Sequence, residues 1–156
     1  ADDFITKNSN NYCILRPITM YGLRLNHQRH NPFSFFYEKL INNEKITAVN
    51  DVYVNMLNVN NLIQSIEAVI NKDLNGEFNL SGENILNRYE FVNLLKELTN
   101  SKSQIVSTTS SKFKTLAKRP MNTSFDNSKM KKVLGVFPVN IEQDLRELIN
   151  DSNISS

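Results

Sequence analysis

The sequence predicts an α/β fold, and three observations carry that expectation. Short apolar runs of strand length recur at residues 12–15, 46–49 and 78–80. Longer segments between them place apolar residues at helical spacing. Gly, Pro and paired Asn punctuate the joins. Strands that alternate with helices favour α/β or α+β, here with few strands and about five helices.

Residues 1–7 read as the last turns of a helix with Phe4 and Ile5 buried. Residues 12–15 form a buried strand that ends at Arg16-Pro17, because proline restricts the residue before it. Residues 23–31, LRLNHQRHN, are polar and read as a loop. Asn31-Pro32 opens a helix whose inner face holds Phe33, Phe36, Tyr37, Leu40 and Ile41. Asn42-Asn43 ends it. Residues 46–49 form a short strand. Residues 59–70 carry Leu62, Ile63, Ile66, Val69 and Ile70 at helical spacing. A turn at 74–76 leads into a strand at 78–80, which Ser81-Gly82 closes. Asn87 caps the next helix with Glu90 as its capping-box partner. The core face of that helix is Tyr89, Phe91, Val92, Leu95 and Leu98. Residues 101–111 are Ser/Thr-rich around a strand at Ile105-Val106. Asp126 caps a short helix that stops at Gly135. Asn140 with Gln143 starts the last helix, bearing Ile141, Leu145, Leu148 and Ile149. The tail DSNISS is expected to fray.

The 156 residues suffice for one domain with a real core. Eighteen basic and 16 acidic residues leave a net charge of +2, which argues for neither nucleic acid nor an anionic membrane. No apolar run approaches a membrane span. The start, ADDFITKNSN, lacks the basic and apolar regions of a secretory signal. With a single Cys, a reducing cytoplasm is the expected setting. The chain has only four Gly, far apart, whereas phosphate-cradling loops need them clustered.

Few residues carry chemistry on their own. His27 and His30 form an HxxH pair without further metal ligands, so no metal is expected. Cys13 sits in an apolar run and reads as an inert thiol. Lys112, Lys114, Lys118, Arg119, Lys129, Lys131 and Lys132 make the second half mildly basic. They read as a solvated face, with Arg119 the best fitted to hold a diphosphate through its planar fork. No Tyr is followed by Lys at the fourth position, and no P-loop, GxSxG or HExxH occurs. No catalytic residue is assigned in this chain.

The order of segments adds a resemblance. ILRPITMYG (residues 14–22) resembles the strand and loop that follow the catalytic Tyr-x-x-x-Lys helix in extended short-chain dehydrogenase/reductases. Asn31-Pro32-Phe33 resembles the start of their first substrate-domain helix. Residues 48–63, AVNDVYVNMLNVNNLI, resemble the segment that usually ends in PTYVDDLA, with Met56-Leu57 in place of Pro-Thr and Asn60-Asn61 in place of the acidic pair. GEFNLSG (76–82) resembles the GxYHLSG strand. RPMNTSFDNSK (119–129) with Leu134-Gly135 resembles the RPxNxxLDxxK…LG signature of the dTDP-4-dehydrorhamnose reductase branch. The regulatory β subunit of methionine adenosyltransferase shares that branch.

The resemblance implies the C-terminal, substrate-binding portion of an NAD(P)-binding Rossmann-type enzyme. The Rossmann half, with its Gly-rich loop and Tyr-x-x-x-Lys pair, would lie upstream. Residues 1–22 would end the Rossmann part, 23–150 would form the substrate domain, and 151–156 the tail. The resemblance places Arg16, Pro17 and Thr19 at the nicotinamide end of the cofactor site. It places Asn31, Tyr53, Asn55, Arg119 and Asn122 near a nucleotide-sugar. The intact parent would use NAD or NADP to reduce a 4-keto sugar, and this portion alone would be inactive, with no cofactor held tightly. Its partners would be the nucleotide-sugar substrate and either the missing Rossmann half or a homo-oligomer partner, with no nucleic acid or membrane. The alternative is a non-catalytic regulatory protein on the same fold.

Overall fold

The structure, a computed structural model, describes residues 1–25, 27–113 and 120–154, with the backbone alone at 153 and 154. It is mixed α/β. In chain order the elements are α1 (Asp2–Asn8), β1 (Cys13–Pro17), β2 (Met20–Tyr21), α2 (Pro32–Ile41), β3 (Ile46–Val49), β4 (Tyr53–Val54), β5 (Leu57–Asn58), α3 (Val59–Lys72), β6 (Gly76–Leu80), β7 (Leu86–Asn87), α4 (Arg88–Thr99), β8 (Ile105–Thr108) and α5 (Ile141–Ile154). Single helical turns occupy Ser110–Lys112 and Met130–Leu134.

The strands pair two by two. β1 runs parallel to β6, β2 to β5 and β3 to β8, while β4 and β7 are antiparallel. Each parallel pair requires a crossover connection, and these carry α2 and α3 between β1 and β6, α2 between β2 and β5, and α3 and α4 between β3 and β8. Two cores result. The larger packs α2, α4 and α5 around Phe33, Phe36, Leu40, Phe91, Leu95 and Leu145, with Ile46 and Ala48 of β3. The smaller joins Phe78 and Leu80 of β6 to Leu57, Met130, Leu134 and Val136. Ile18 packs against both. Burying each such large side chain stabilises by roughly 1.5–3 kcal/mol before entropy is counted.

The predicted caps form as hydrogen bonds. Asn31 Oδ1 accepts from the amides of Phe33 and Ser34, and the Asn31 amide donates back to the Ser34 hydroxyl oxygen. Asn87 and Glu90 close a capping box. Asp126 Oδ1 accepts from the Ser128 amide. Gly135, at φ 74°, ends the turn in the left-handed region. At α5, Asn140 Oδ1 accepts from the Glu142 amide, but Gln143 bonds forward to Glu147 instead of closing a box.

Three expectations of burial change. Phe4 is 71% exposed and Ile5 38%, because no described element packs on that side of α1. In α3 the apolar stripe divides. Leu62 and Val69 pack on the smaller core, while Ile63, Ile66 and Ile70 face outward. The residues α3 does bury are Asn61 and Ser65, with the Ser65 hydroxyl satisfied by the Asn61 carbonyl at 2.6 Å. Ile41 of α2 is also exposed. Finally, α5 runs on to Ile154 rather than stopping at residue 150, and the Ser152 hydroxyl bonds to the Leu148 carbonyl. No helix among the described residues is long and apolar enough to cross a membrane.

Candidate functional site

Two groups of site residues emerge. The first lies at the carboxyl end of β1. There the chain is stitched to its neighbours through the backbone. The Ile18 amide donates to the Leu80 carbonyl at 3.0 Å, and the Thr19 carbonyl accepts from the Leu57 amide at 3.0 Å. Pro17 and Thr19 are both exposed at the surface. The Thr19 hydroxyl bonds to no group among the described residues. Arg16 points to a different face. It is clamped between Asp2 at 2.7 Å and Glu77 at 2.6 Å, and both carboxylates hold its charged form. It borders a shallow hollow with Tyr12, Asn79, Asp126 and Lys129. Arg16 therefore ties α1, β1 and β6 together.

The second group centres on Tyr53. This residue pairs with Asn87 across the β4–β7 ribbon and with Asn122 on its other side. Its amide donates to the Met121 carbonyl at 2.8 Å, and its carbonyl accepts from the Thr123 amide at 3.0 Å. The residue remains 38% exposed. Asn122 Oδ1 accepts from the Ser124 amide and hydroxyl. Arg119, three residues earlier, lies outside the described residues.

Asn31 and Asn55 stand apart from these two. Asn31 spends its oxygen on the α2 cap and its Nδ2 on the Gly22 carbonyl at 2.9 Å. Asn55 is 3% exposed. Its Nδ2 donates to Ser81 Oγ and to the Phe125 carbonyl, and its Oδ1 accepts from the Phe125 amide. Both amides are consumed inside the protein, where they hold loops in place. Among the described residues no cluster of three His, Cys, Asp or Glu could hold a metal, and His30 faces Glu38 at 3.6 Å.

The sequence profile of the RmlD substrate binding domain family matches residues 1–154. The chain belongs to this family. Its fold is shared with dTDP-4-dehydrorhamnose reductase from Bacillus anthracis, solved in complex with NADP (TM-score 0.82, 21% identity). That alignment covers 96% of this chain and 52% of the other. A dTDP-4-dehydrorhamnose reductase from Clostridium acetobutylicum aligns at TM-score 0.84 and 20% identity, over 97% of this chain and 52% of that one. UDP-glucose 4-epimerase from Thermotoga maritima, solved with UDP-glucose, aligns at 0.78 and 19%, over 99% and 50%. The chain thus spans about half the length of these structures. No curated protein matches it in sequence.

Within this RmlD substrate binding domain, one buried polar pair escaped the sequence reading. The Tyr21 hydroxyl donates to Asp144 Oδ2 at 2.6 Å, across 123 positions of sequence. Both are buried, and the Asn58 side chain also bonds the carboxylate. The pair fastens α5 to the β2–β5 joint, directly after the Pro17–Thr19 loop. Burial raises the pKa of Asp144, aided by Glu147 and opposed by the Tyr21 and Asn58 bonds. Burial and the neighbouring carboxylate also raise that of Tyr21, which stays protonated as donor.

A raised carboxyl pKa means that the folded state holds a proton the unfolded state has lost. The stability Asp144 contributes is full below the ordinary value of 3.8 and is lost as pH rises through the raised folded value. Glu83 and Asp126, held low by bonds to Lys131 and Ser128, act in the opposite sense. The difference between wild type and Asp144→Asn isolates the group. Urea midpoints measured from about pH 4 to about pH 7 should show the wild type losing ground to the variant as pH rises. Parallel curves would disprove the assignment.

Proposed function

We propose that the chain is the substrate-binding portion of an NAD(P)-dependent nucleotide-sugar reductase of the dTDP-4-dehydrorhamnose reductase type. The observation that carries this reading is the Tyr53 platform. A half-exposed tyrosine is fixed on both sides by backbone pairing, beside Asn122. A rigid aromatic face suits a nucleobase, and the amide nitrogen of Asn122 suits a base edge or a sugar hydroxyl. Arg119 would add charge for the diphosphate. Asn31 and Asn55 act through the loops they fix.

Parallel strands favour ligand sites at their carboxyl ends. The Pro17–Thr19 loop at the end of β1, with a Thr19 hydroxyl unbonded among the described residues, fits the amide-bearing end of a nicotinamide. The nicotinamide, when bound, supplies hydride to the keto carbon. This chain's part is to bind and orient the sugar, while the proton donor and phosphate cradle reside in the other half.

The exposed apolar surface supports that division. Parallel sheets are normally covered on both faces. Here β1 pairs with β6 on one side, while Phe4, Ile5, Ile63, Ile66 and Ile70 stand in solvent. Residues 1–22 share a sheet and the smaller core with 57–80 and 130–136. We assign this layer to the cofactor-binding part and the layer around α2, α4 and α5 to the substrate domain.

The test is titration of the 156-residue chain with dTDP, followed by backbone amide shifts. Perturbation should centre on Tyr53 and Asn122, and Tyr53→Ala should weaken binding roughly tenfold, as expected for losing one stacked base. Saturable binding with shifts confined elsewhere would overturn the reading.

A further inference from the structure

Arg88 opens α4, one residue beyond the Tyr53–Asn87 pair. Its side chain is partly buried, and its surroundings are unusual for a guanidinium. Nη1 lies 3.3 Å from the thioether sulfur of Met56, a weak acceptor, and among the described residues no carboxylate or carbonyl receives its other donors. The other described arginines differ. Arg16 is held by Asp2 and Glu77, Arg24 by the Leu25 and Gln28 carbonyls, and Arg146 by Glu142, while Arg29 is exposed. Glu90, two residues on, is committed to the Asn87 amide. The amino end of α4 is thus closed by its own capping box, which leaves the Arg88 side chain without a counter-ion among the described residues.

A partly buried charge without a counter-ion is costly. Burial lowers the Arg88 pKa for that reason. A planar fork of donors is suited to a pair of phosphate oxygens.

We propose that Arg88 is an anion-binding residue, holding a phosphate of a nucleoside diphosphate beside the Tyr53 platform. The proposal rests on the nucleotide-sugar reading above and names a residue for it outside the segment that begins at Arg119.

Calorimetric titration of the 156-residue chain with inorganic pyrophosphate, dTDP and thymidine tests it, in wild type, Arg88→Gln and Arg88→Lys. Arg88→Gln should weaken pyrophosphate and dTDP roughly tenfold or more and leave thymidine unchanged, since it removes charge-assisted hydrogen bonds to phosphate alone. Arg88→Lys should fall between, because it keeps the charge and loses the fork. The melting temperature of Arg88→Gln should hold or rise, because an uncompensated charge has been removed. Unchanged pyrophosphate affinity in Arg88→Gln overturns the proposal, as does an equal loss for thymidine or a marked drop in melting temperature. If wild type binds dTDP and Arg88→Gln binds it equally, the Arg88 role fails and the nucleotide-sugar reading survives. If pyrophosphate binds through Arg88 but dTDP binds no better, the anion site stands and the nucleotide reading fails. If wild type binds neither, both fail.

Discussion

Gly82→Ala is expected to cost about 3 kcal/mol or more, a large share of the roughly 5–15 kcal/mol that holds a typical domain together. A Cβ added at Gly82 would stand 2.0 Å from the Met56 carbonyl oxygen and 3.1 Å from its carbon. The obstacle is backbone, so no side-chain rotation relieves it. The approach is held closed by the Gly82 amide, which donates to the Asn55 carbonyl at 3.0 Å, and by Asn127 Nδ2 on the Gly82 carbonyl. Relief requires the 55–56 segment to part from the turn after β6, on which both the Tyr53 ribbon and β5 depend. Gly22→Ala is the control. Its Cβ would stand 2.7 Å from Val59 Cγ1, a side-chain atom that can shift, so its cost should be nearer about 1 kcal/mol. Urea midpoints rank the two variants. Gly82→Ala unfolding at the wild-type midpoint would refute the close-packing argument.

What the sequence made legible is what is local. The caps at Asn31, Asn87 and Gly135 were readable because cap, first turn and stop lie within a few residues of each other. The strand at 46–49 was readable as a compact apolar run, and the observed β3 has those bounds. The pairs β2–β5 and β4–β7 have two residues per strand, too few for any periodicity to reveal. Burial was less legible than helicity. A 3.6-residue period identifies a face, but it does not say whether a layer lies against that face. Ile63, Ile66 and Ile70 have the right spacing for a core and stand exposed, whereas Asn61 and Ser65 are buried.

The candidate site was legible by type and less so by role. Amides at 31, 55 and 122 have the chemistry for reading a sugar or a base, yet that same chemistry caps helices and clamps loops. Only the contacts separate these uses, and among the described residues they leave the nitrogen of Asn122 unspent. Tyr21–Asp144 and Arg88 had no sequence signal. The tyrosine–aspartate pair spans 123 positions, beyond the reach of any local pattern. Arg88 has the sequence surroundings of an ordinary residue at a helix start, and its significance lies in the acids that are not beside it.

Asn55→Ala is expected to lower the melting temperature by about 10 °C, from a loss of about 3 kcal/mol. The side chain is buried and makes three hydrogen bonds, to Ser81 Oγ at 2.9 Å, the Phe125 carbonyl at 2.8 Å and the Phe125 amide at 2.9 Å. Truncation leaves the partly buried Phe125 amide without its acceptor. Among the described residues the Phe125 carbonyl then keeps only the longer bond from Ser81 at 3.3 Å. Asn55→Asp is the informative companion. It preserves an acceptor for the Phe125 amide but turns a carboxylate toward the Phe125 carbonyl, so it should be as damaging as alanine, although it is nearly the same size. Amide exchange at Phe125 should accelerate in both variants. The damage should also travel, because Phe125 follows the Asn122–Ser124 turn that backs Tyr53. In whatever fraction stays folded, dTDP affinity should fall even though the Asn55 amide is spent on internal bonds. Combined with Gly82→Ala, the loss should be less than additive, since both changes open the same joint between residues 55–56 and the turn after β6. Full additivity would mean that the joint is two independent contacts, and that Asn55 clamps Phe125 without supporting the close approach at Gly82.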